Sequence, residues 1–181
     1  SVLKPGLLEK AVDAGLRSLF VGFETLDPQG LLEQRKHQNL HRDYNAAVRR
    51  LHDLGVMVNG SFVFGMDHDD TGVFDRTVAW AIEQGIETAT FHILTPYPGT
   101  ALYTRMASAG RLTTHNWDRY DTRHVVYRPT QLTADELESG YWRAYRNFYS
   151  WRSIARGAWT KTGGAERARA HRPPPPLPPA C

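Results

Sequence analysis

The groups best suited to chemistry fall at the ends of three apolar runs. Glu24, in Gly22-Phe23-Glu24-Thr25, closes the run LRSLFVGFE. A carboxylate there can accept hydrogen bonds from a ligand's amine or hydroxyls; taken alone, it reads equally as a loop acid that pairs locally. The second run, VMVNGSFVFG, leads into Met66-Asp67-His68-Asp69-Asp70. Clustered carboxylates suit a hard cation. This cluster lacks calcium-loop spacing, however, and Thr71 behind it reads as a helix N-cap, with the acids satisfying the helix dipole. Gly60 and Gly65 bracket Ser61-Phe62-Val63-Phe64; such glycines mark close approach of a ligand or backbone, or simply ease packing. His92 lies in the third run, IETATFHIL, as a ligand, a general base or a core histidine. The turn Thr95-Pro96-Tyr97-Pro98-Gly99 follows it. His52 and His124 have no partner at a recognisable spacing, and no P-loop, GxSxG, HExxH or GxGxxG motif occurs. Cys181 is the single cysteine. It leaves no internal disulfide framework and no zinc or iron–sulfur site built from several cysteines of this chain. The lack of disulfides fits a reducing cytoplasm.

A recurring unit positions these groups: amphipathic helix, glycine, apolar strand. The three copies are Leu7–Ala14, Gly15 and Leu16–Glu24; Tyr44–Leu54, Gly55 and Val56–Phe64; and Val73–Gln84, Gly85 and Ile86–Leu94. Tyr44, Ala47, Val48 and Leu51 fall on one helical stripe, as do Phe74, Val78, Ala81 and Ile82. Each glycine stands where a helix C-terminus takes a left-handed residue. The Val-, Phe-, Ile- and Thr-rich runs read as strands covered on both faces. Helices connecting such strands imply right-handed crossovers and an α/β architecture, either a barrel or a doubly wound sheet. Three adjacent parallel strands over Ser18–Phe23, Asn59–Phe64 and Thr88–Leu94 are expected, with helices on one convex face and the chemistry at their carboxyl ends.

A fourth helix spans about Ala101–Ser108 and closes at Gly110. After an irregular stretch, Thr133 with Glu136 forms a capping box. The helix it opens extends towards Ala158, with Tyr141, Trp142, Tyr145, Phe148 and Tyr149 as a core stripe. Residues 1–142 hold 14 Lys and Arg against 18 Asp and Glu, a net charge of −4; residues 143–181 hold 8 against Glu166 alone, a net of +7. The basic, proline-rich end reads as a solvated, disordered tail, with no nucleic-acid partner expected. No apolar run reaches the ~20 residues of a membrane helix.

The ordered set AGLRSLFVGFETLDPQGLLEQRKHQN, LHDLGVMVNGSFVFGMDHD and FHILTPYPGTALYTRMASAGRL resembles strands 4, 5 and 6 of the radical S-adenosylmethionine (radical SAM) superfamily barrel. WDRYDTRHVVYRP and the aromatic helix resemble the extension after that barrel in cobalamin-binding-domain members. The resemblance implies a partial (β/α) barrel of parallel strands over residues 1–112, a helical extension over 113–160 and a tail over 161–181. It also implies a [4Fe–4S] cluster held by CxxxCxxC, S-adenosylmethionine chelated to it, and a 5′-deoxyadenosyl radical or methyl transfer acting on a small-molecule substrate, with cobalamin as a further cofactor.

Neither CxxxCxxC nor the glycine-rich strand-2 loop occurs in this sequence. The resemblance therefore implies the cofactor- and substrate-lining part of such an enzyme, inactive alone. By the same resemblance Glu24 contacts the cofactor, and Lys36, or its neighbour Arg35, meets its carboxylate. Gly60, Phe62 and Gly65 lie beside the adenine, and Thr95, Pro96 and Gly99 form the strand-6 turn. The competing readings are a non-catalytic α/β binding module with a basic tail and a different α/β barrel enzyme.

Overall fold

The computed structural model describes residues 6–26, 44–151 and 153–154. Three strands, β1 (Ser18–Glu24), β2 (Met57–Phe64) and β3 (Thr88–Ile93), form one sheet in the order β1-β2-β3. Both pairings are parallel. The described helices are α1 (Leu7–Asp13), α2 (Tyr44–Asp53), α3 (Val73–Glu83), α4 (Ala101–Ser108) and α5 (Ala134–Phe148). The expected helix–glycine–strand order holds, and Gly15, Gly55 and Gly85 take positive φ where their helices end. A residue with a Cβ is disfavoured there, so these glycines release each helix into its strand.

Strand alternation sorts the sheet into two faces. Phe23, Val58, Phe62, Phe64, Ala89, Phe91 and Ile93 point towards the helices and are buried. Phe23 stacks on Phe62, and Phe62 on Phe91. Tyr44 of α2 and Trp80 of α3 meet Phe23 edge-on; Phe74 of α3 meets Phe64 and Phe148 of α5 meets Phe91 in the same way. One aromatic layer thus joins the sheet to α2, α3 and α5. The other face carries a polar row across all three strands. Asn59 receives a hydrogen bond from Thr88 and donates one of 2.7 Å to Ser18. On this open face Phe20 is 64% exposed and Met57 45% exposed. A parallel sheet with one face so open is the wall of a partial barrel.

The two edges of the sheet differ. The outer edge of β3 is sealed by α5. Tyr145 Oη accepts from Phe91 N (3.1 Å) and donates to Phe91 O (3.2 Å). One turn later, Tyr149 Oη does the same for Ala89, at 3.1 and 2.9 Å. Thr122 O takes the N–H of Ile93 at 2.7 Å. The aromatic stripe expected to be core therefore splits: Tyr141 and Phe148 are buried, Tyr145 and Tyr149 cap a strand edge, and Trp142 is half exposed.

Two local expectations are corrected. The N-cap of α3 is Gly72, not Thr71, and no side chain caps the helix; Asp70 ahead of it accepts from Gly72 N (3.0 Å) and from Arg76. The last helix ends at Phe148, with Tyr149 as its C-cap, rather than running on unbroken. Its start is as expected: Thr133 and Glu136 form the full capping box.

Candidate functional site

A cavity of about 610 Å³ opens at the carboxyl ends of the strands. β1 contributes Glu24; β2 and its following loop contribute Ser61, Val63, Met66 and Asp67; β3 and its loop contribute His92, Ile93, Leu94, Thr95 and Tyr97. The first helical turns of α4 close one side through Ala101, Leu102, Arg105 and Met106, and Thr122 completes the wall. The loops at the three strand ends thus face one shared cavity, as expected.

Glu24 reaches this cavity by an unusual backbone. The β1–β2 register shifts between Gly22 and Glu24, and Glu24 has a left-handed φ of 66°. Its carboxylate folds back over the preceding glycine: a Cβ on Gly22 would lie 3.0 Å from Oε1. Gly22 is therefore the clearance that lets Glu24 lie on the open face. The other non-glycine residue with positive φ among the described residues is Thr122, at 65°. A β-branched side chain is especially disfavoured there. Both strained residues line the same cavity, and such strain concentrates at ligand sites.

His92 stands between them. Its Nδ1 lies 3.2 Å from Thr122 Oγ1. Burial pushes its pKa below the ordinary 6.5, and the nearby Glu24 charge pulls the other way. Burial thus favours the neutral form of the ring. Asp67 is held well below the usual carboxylate range, chiefly by Arg111, with burial opposing and Thr130 assisting. Arg111 grips it with both terminal nitrogens, at 2.6 and 3.1 Å, and Thr130 donates at 2.7 Å.

The structure places the expected site residues in different surroundings. Glu24 and Thr95 line the cavity. Thr95 donates its hydroxyl to Ile93 O (3.0 Å), so its side chain shapes the turn. Phe62 lies on the helix face, fully buried. A Cβ on Gly60 would meet the Phe62 ring and Ile86. Gly65 has φ 99° and sits where a Cβ would collide with the Tyr127 hydroxyl and Leu137. Its N–H donates to Asp69 (2.7 Å) and its carbonyl accepts from Tyr127. Pro96 is buried beside the turn but is not a lining residue, and Lys36 lies outside the described residues.

Sequence reasoning passed over Ser61, Val63, Arg105 and Thr122. The polar alternation Asn59–Ser61 and Thr88–Thr90–His92 was the available signal for the open face. Each carboxylate of Asp67-His68-Asp69-Asp70 is engaged by protein donors: Arg111 and Thr130 at Asp67, the Gly65 and Met66 amides at Asp69, and Gly72 and Arg76 at Asp70.

No protein-family model matches the chain. It is 32% identical over 151 residues to the bacteriochlorophyllide d C-12(1)-methyltransferase of Chlorobaculum tepidum, covering 83% of this chain and 33% of that protein. It is 33% identical over 109 residues to the hopanoid C-2 methylase of Rhodopseudomonas palustris, covering 60% of this chain and 21% of that protein. The anaerobic magnesium-protoporphyrin IX monomethyl ester cyclase of Cereibacter sphaeroides is 23% identical over 154 residues, 85% of this chain and 25% of that protein. The chain thus spans a third or less of these relatives. The strand-end motifs, the parallel wall and these alignments converge on one kinship: the chain is a relative of the radical SAM methyltransferases and cyclases.

Proposed function

We propose that this chain forms the part of a radical SAM methyltransferase that lines the S-adenosylmethionine and substrate cavity. The observation that carries the reading is the convergence of Glu24, Ser61 and His92, from the ends of three successive parallel strands, on one cavity flanked by two strained residues.

The donor set suits the cofactor. Glu24 offers a carboxylate to an amine or ribose hydroxyls, Ser61 a hydroxyl, and Val63 and Leu94 an apolar bed for a heteroaromatic ring. When bound beside a reducing cluster, S-adenosylmethionine supplies a 5′-deoxyadenosyl radical or a methyl group. The cluster itself does not fit this chain. Three thiolates are needed and Cys181 is its single cysteine. The chain's own residues bind and orient. Glu24 fixes a cationic or hydroxyl-bearing end, neutral His92 offers a ring nitrogen without adding charge, and Arg111 with Thr130 keeps Asp67 ionised and still. Lys36 remains the proposed partner of the cofactor carboxylate, and cobalamin the proposed methyl carrier.

Calorimetric titration of S-adenosylmethionine into the chain tests the reading. Saturable binding that weakens roughly tenfold to a hundredfold in Glu24→Ala supports it, the loss of one charge-assisted contact. Identical binding in both proteins, or none in either, refutes it. A chimera carrying this chain in place of the corresponding third of the Chlorobaculum tepidum relative tests catalysis. Formation of 5′-deoxyadenosine that falls on Glu24→Ala is the expected result.

A further inference from the structure

Beyond the residues assigned to the cofactor, the cavity holds a cation with no assigned task. Arg105 projects from α4 onto its wall, and among the described residues its guanidinium has no ion-pair partner. The acid whose field it shares is Asp67, which already holds Arg111 through both oxygens. Arg111 occupies both oxygens of that carboxylate, so among the described residues Arg105 makes no direct contact with an acid. Much of the remaining lining is apolar: Val63, Met66, Leu94, Leu102 and Met106. The cavity therefore has an acid from the β1 side, a cation from α4 and a largely apolar lining.

We propose that Arg105 anchors the carboxylate of the substrate, and that the substrate is a bulky apolar molecule bearing a free acid group. This rests on the cofactor reading above. A guanidinium with open donors in a largely apolar cavity suits a carboxylate, which it can bind through two parallel hydrogen bonds. Two molecules could bring that group: the substrate, or the cofactor through its own α-carboxylate. Geometry favours the first. β1 and β3 are two strand spacings apart, about 10 Å, and α4 follows β3. The amino and carboxylate groups of S-adenosylmethionine share one carbon. A cofactor whose amine sits on Glu24 has its α-carboxylate on the β1 side, distant from Arg105; the parallel titration of S-adenosylmethionine separates this from a cofactor held through its ribose hydroxyls. The acid at Arg105 then belongs to a second molecule. Among the relatives, a bacteriochlorophyllide is a macrocycle with a free carboxylic acid side chain, whereas a hopanoid is a polycyclic hydrocarbon. Arg105 aligns this cavity with the first kind of substrate.

The test uses pheophorbide a and its methyl ester, which share a ring system and differ in the free acid. Each is titrated into the full chain by fluorescence, for the unaltered protein, Arg105→Gln and Arg105→Lys; S-adenosylmethionine is titrated in parallel. Arg105 is exposed, so neither substitution disturbs the core, which circular dichroism checks. The expected result is an acid bound at least tenfold tighter than the ester. Arg105→Gln abolishes that preference, Arg105→Lys keeps a part of it, and cofactor affinity stays unchanged in both. Equal binding of acid and ester by the unaltered protein overturns the proposal, as does a preference that survives in Arg105→Gln. Weaker S-adenosylmethionine binding in Arg105→Gln also overturns it, by giving the guanidinium to the cofactor. An intact acid preference in a protein that never binds S-adenosylmethionine refutes the cofactor reading and leaves the Arg105 anchor standing.

Discussion

Glu24 offers the sharpest separation of binding from stability. Its φ of 66° is a conformation in which a side chain costs roughly 1–2 kcal/mol. Glycine avoids that cost but loses roughly 0.5–1 kcal/mol of chain entropy on folding. Glu24→Gly and Glu24→Ala both remove the carboxylate, so their difference isolates the backbone. The glycine variant should be more stable than the alanine variant by roughly 0–1.5 kcal/mol, centred on about 0.75 kcal/mol. With a urea m-value of about 2 kcal/mol/M, its midpoint should lie about 0.4 M higher, at unchanged slope. Both should lose ligand affinity equally, because neither retains the acid. Glu24→Gln keeps shape and backbone, so it should lose affinity without moving the midpoint by more than a few tenths of a molar. Paired urea melts and calorimetric titrations read both quantities. An alanine variant more stable than the glycine variant would show that Glu24 is not held in the left-handed region. The argument from strain to site would then fail.

Other variants address the elements that support the cavity. Tyr145→Phe removes the hydroxyl that serves both Phe91 N and Phe91 O, and should cost about 1–3 kcal/mol by urea melt. Tyr149→Phe should cost less than about 1 kcal/mol, since Tyr149 is 45% exposed and water can replace its hydroxyl. Gly65→Ala combines a positive φ with a collision against Tyr127 and Leu137, and should cost roughly 2–4 kcal/mol in the same assay. By NMR titration His92 should have a midpoint below 6.5, lowered further in Glu24→Gln because Glu24 favours the charged ring. Its folded pKa is the depressed one, so it adds no pH dependence to stability above 6.5. Below 6.5 the unfolded chain takes the proton first and stability falls. A midpoint unmoved by Glu24→Gln would separate the two groups.

The repeat of helix, glycine and strand was legible because three local signals agree: 3.6-residue stripes, β-branched and aromatic runs, and glycines at the helix ends. Those signals report on neighbours in sequence. The face that each strand residue occupies does not follow from an unbroken apolar run. VMVNGSFVFG reads as apolar throughout, so Gly60 and Phe62 attract attention as a motif. Only once α2 and α3 cover one side does Phe62 fall into the core and Ser61 and Val63 into the cavity. Glu24 was legible as an acid at a strand end, whereas its strained backbone, its clearance over Gly22 and its pairing with Thr122 are products of register and tertiary packing. Tyr145 and Tyr149 have the spacing of a core stripe. Their hydroxyls acquire a purpose only where a strand edge lies beside the helix.

That edge bears on the site. β3 carries His92 and the turn that leads to α4, so any sliding or fraying of β3 would displace His92 and Arg105 together. A parallel edge strand ordinarily leaves a row of N–H and C=O groups exposed, and neighbouring chains can pair with it. Here Tyr145, Tyr149 and Thr122 occupy the groups of Ala89, Phe91 and Ile93, every second residue along the strand. The residues between them, Thr90 and His92, face the open side. One set of contacts thereby closes the sheet at β3 and fixes the register in which His92 is presented. β1 has no such cover among the described residues, so the sheet can extend only on that side, next to Glu24. A strand added there would continue the wall around the cavity, and Phe20 and Met57, exposed on the same face, would then line its interior.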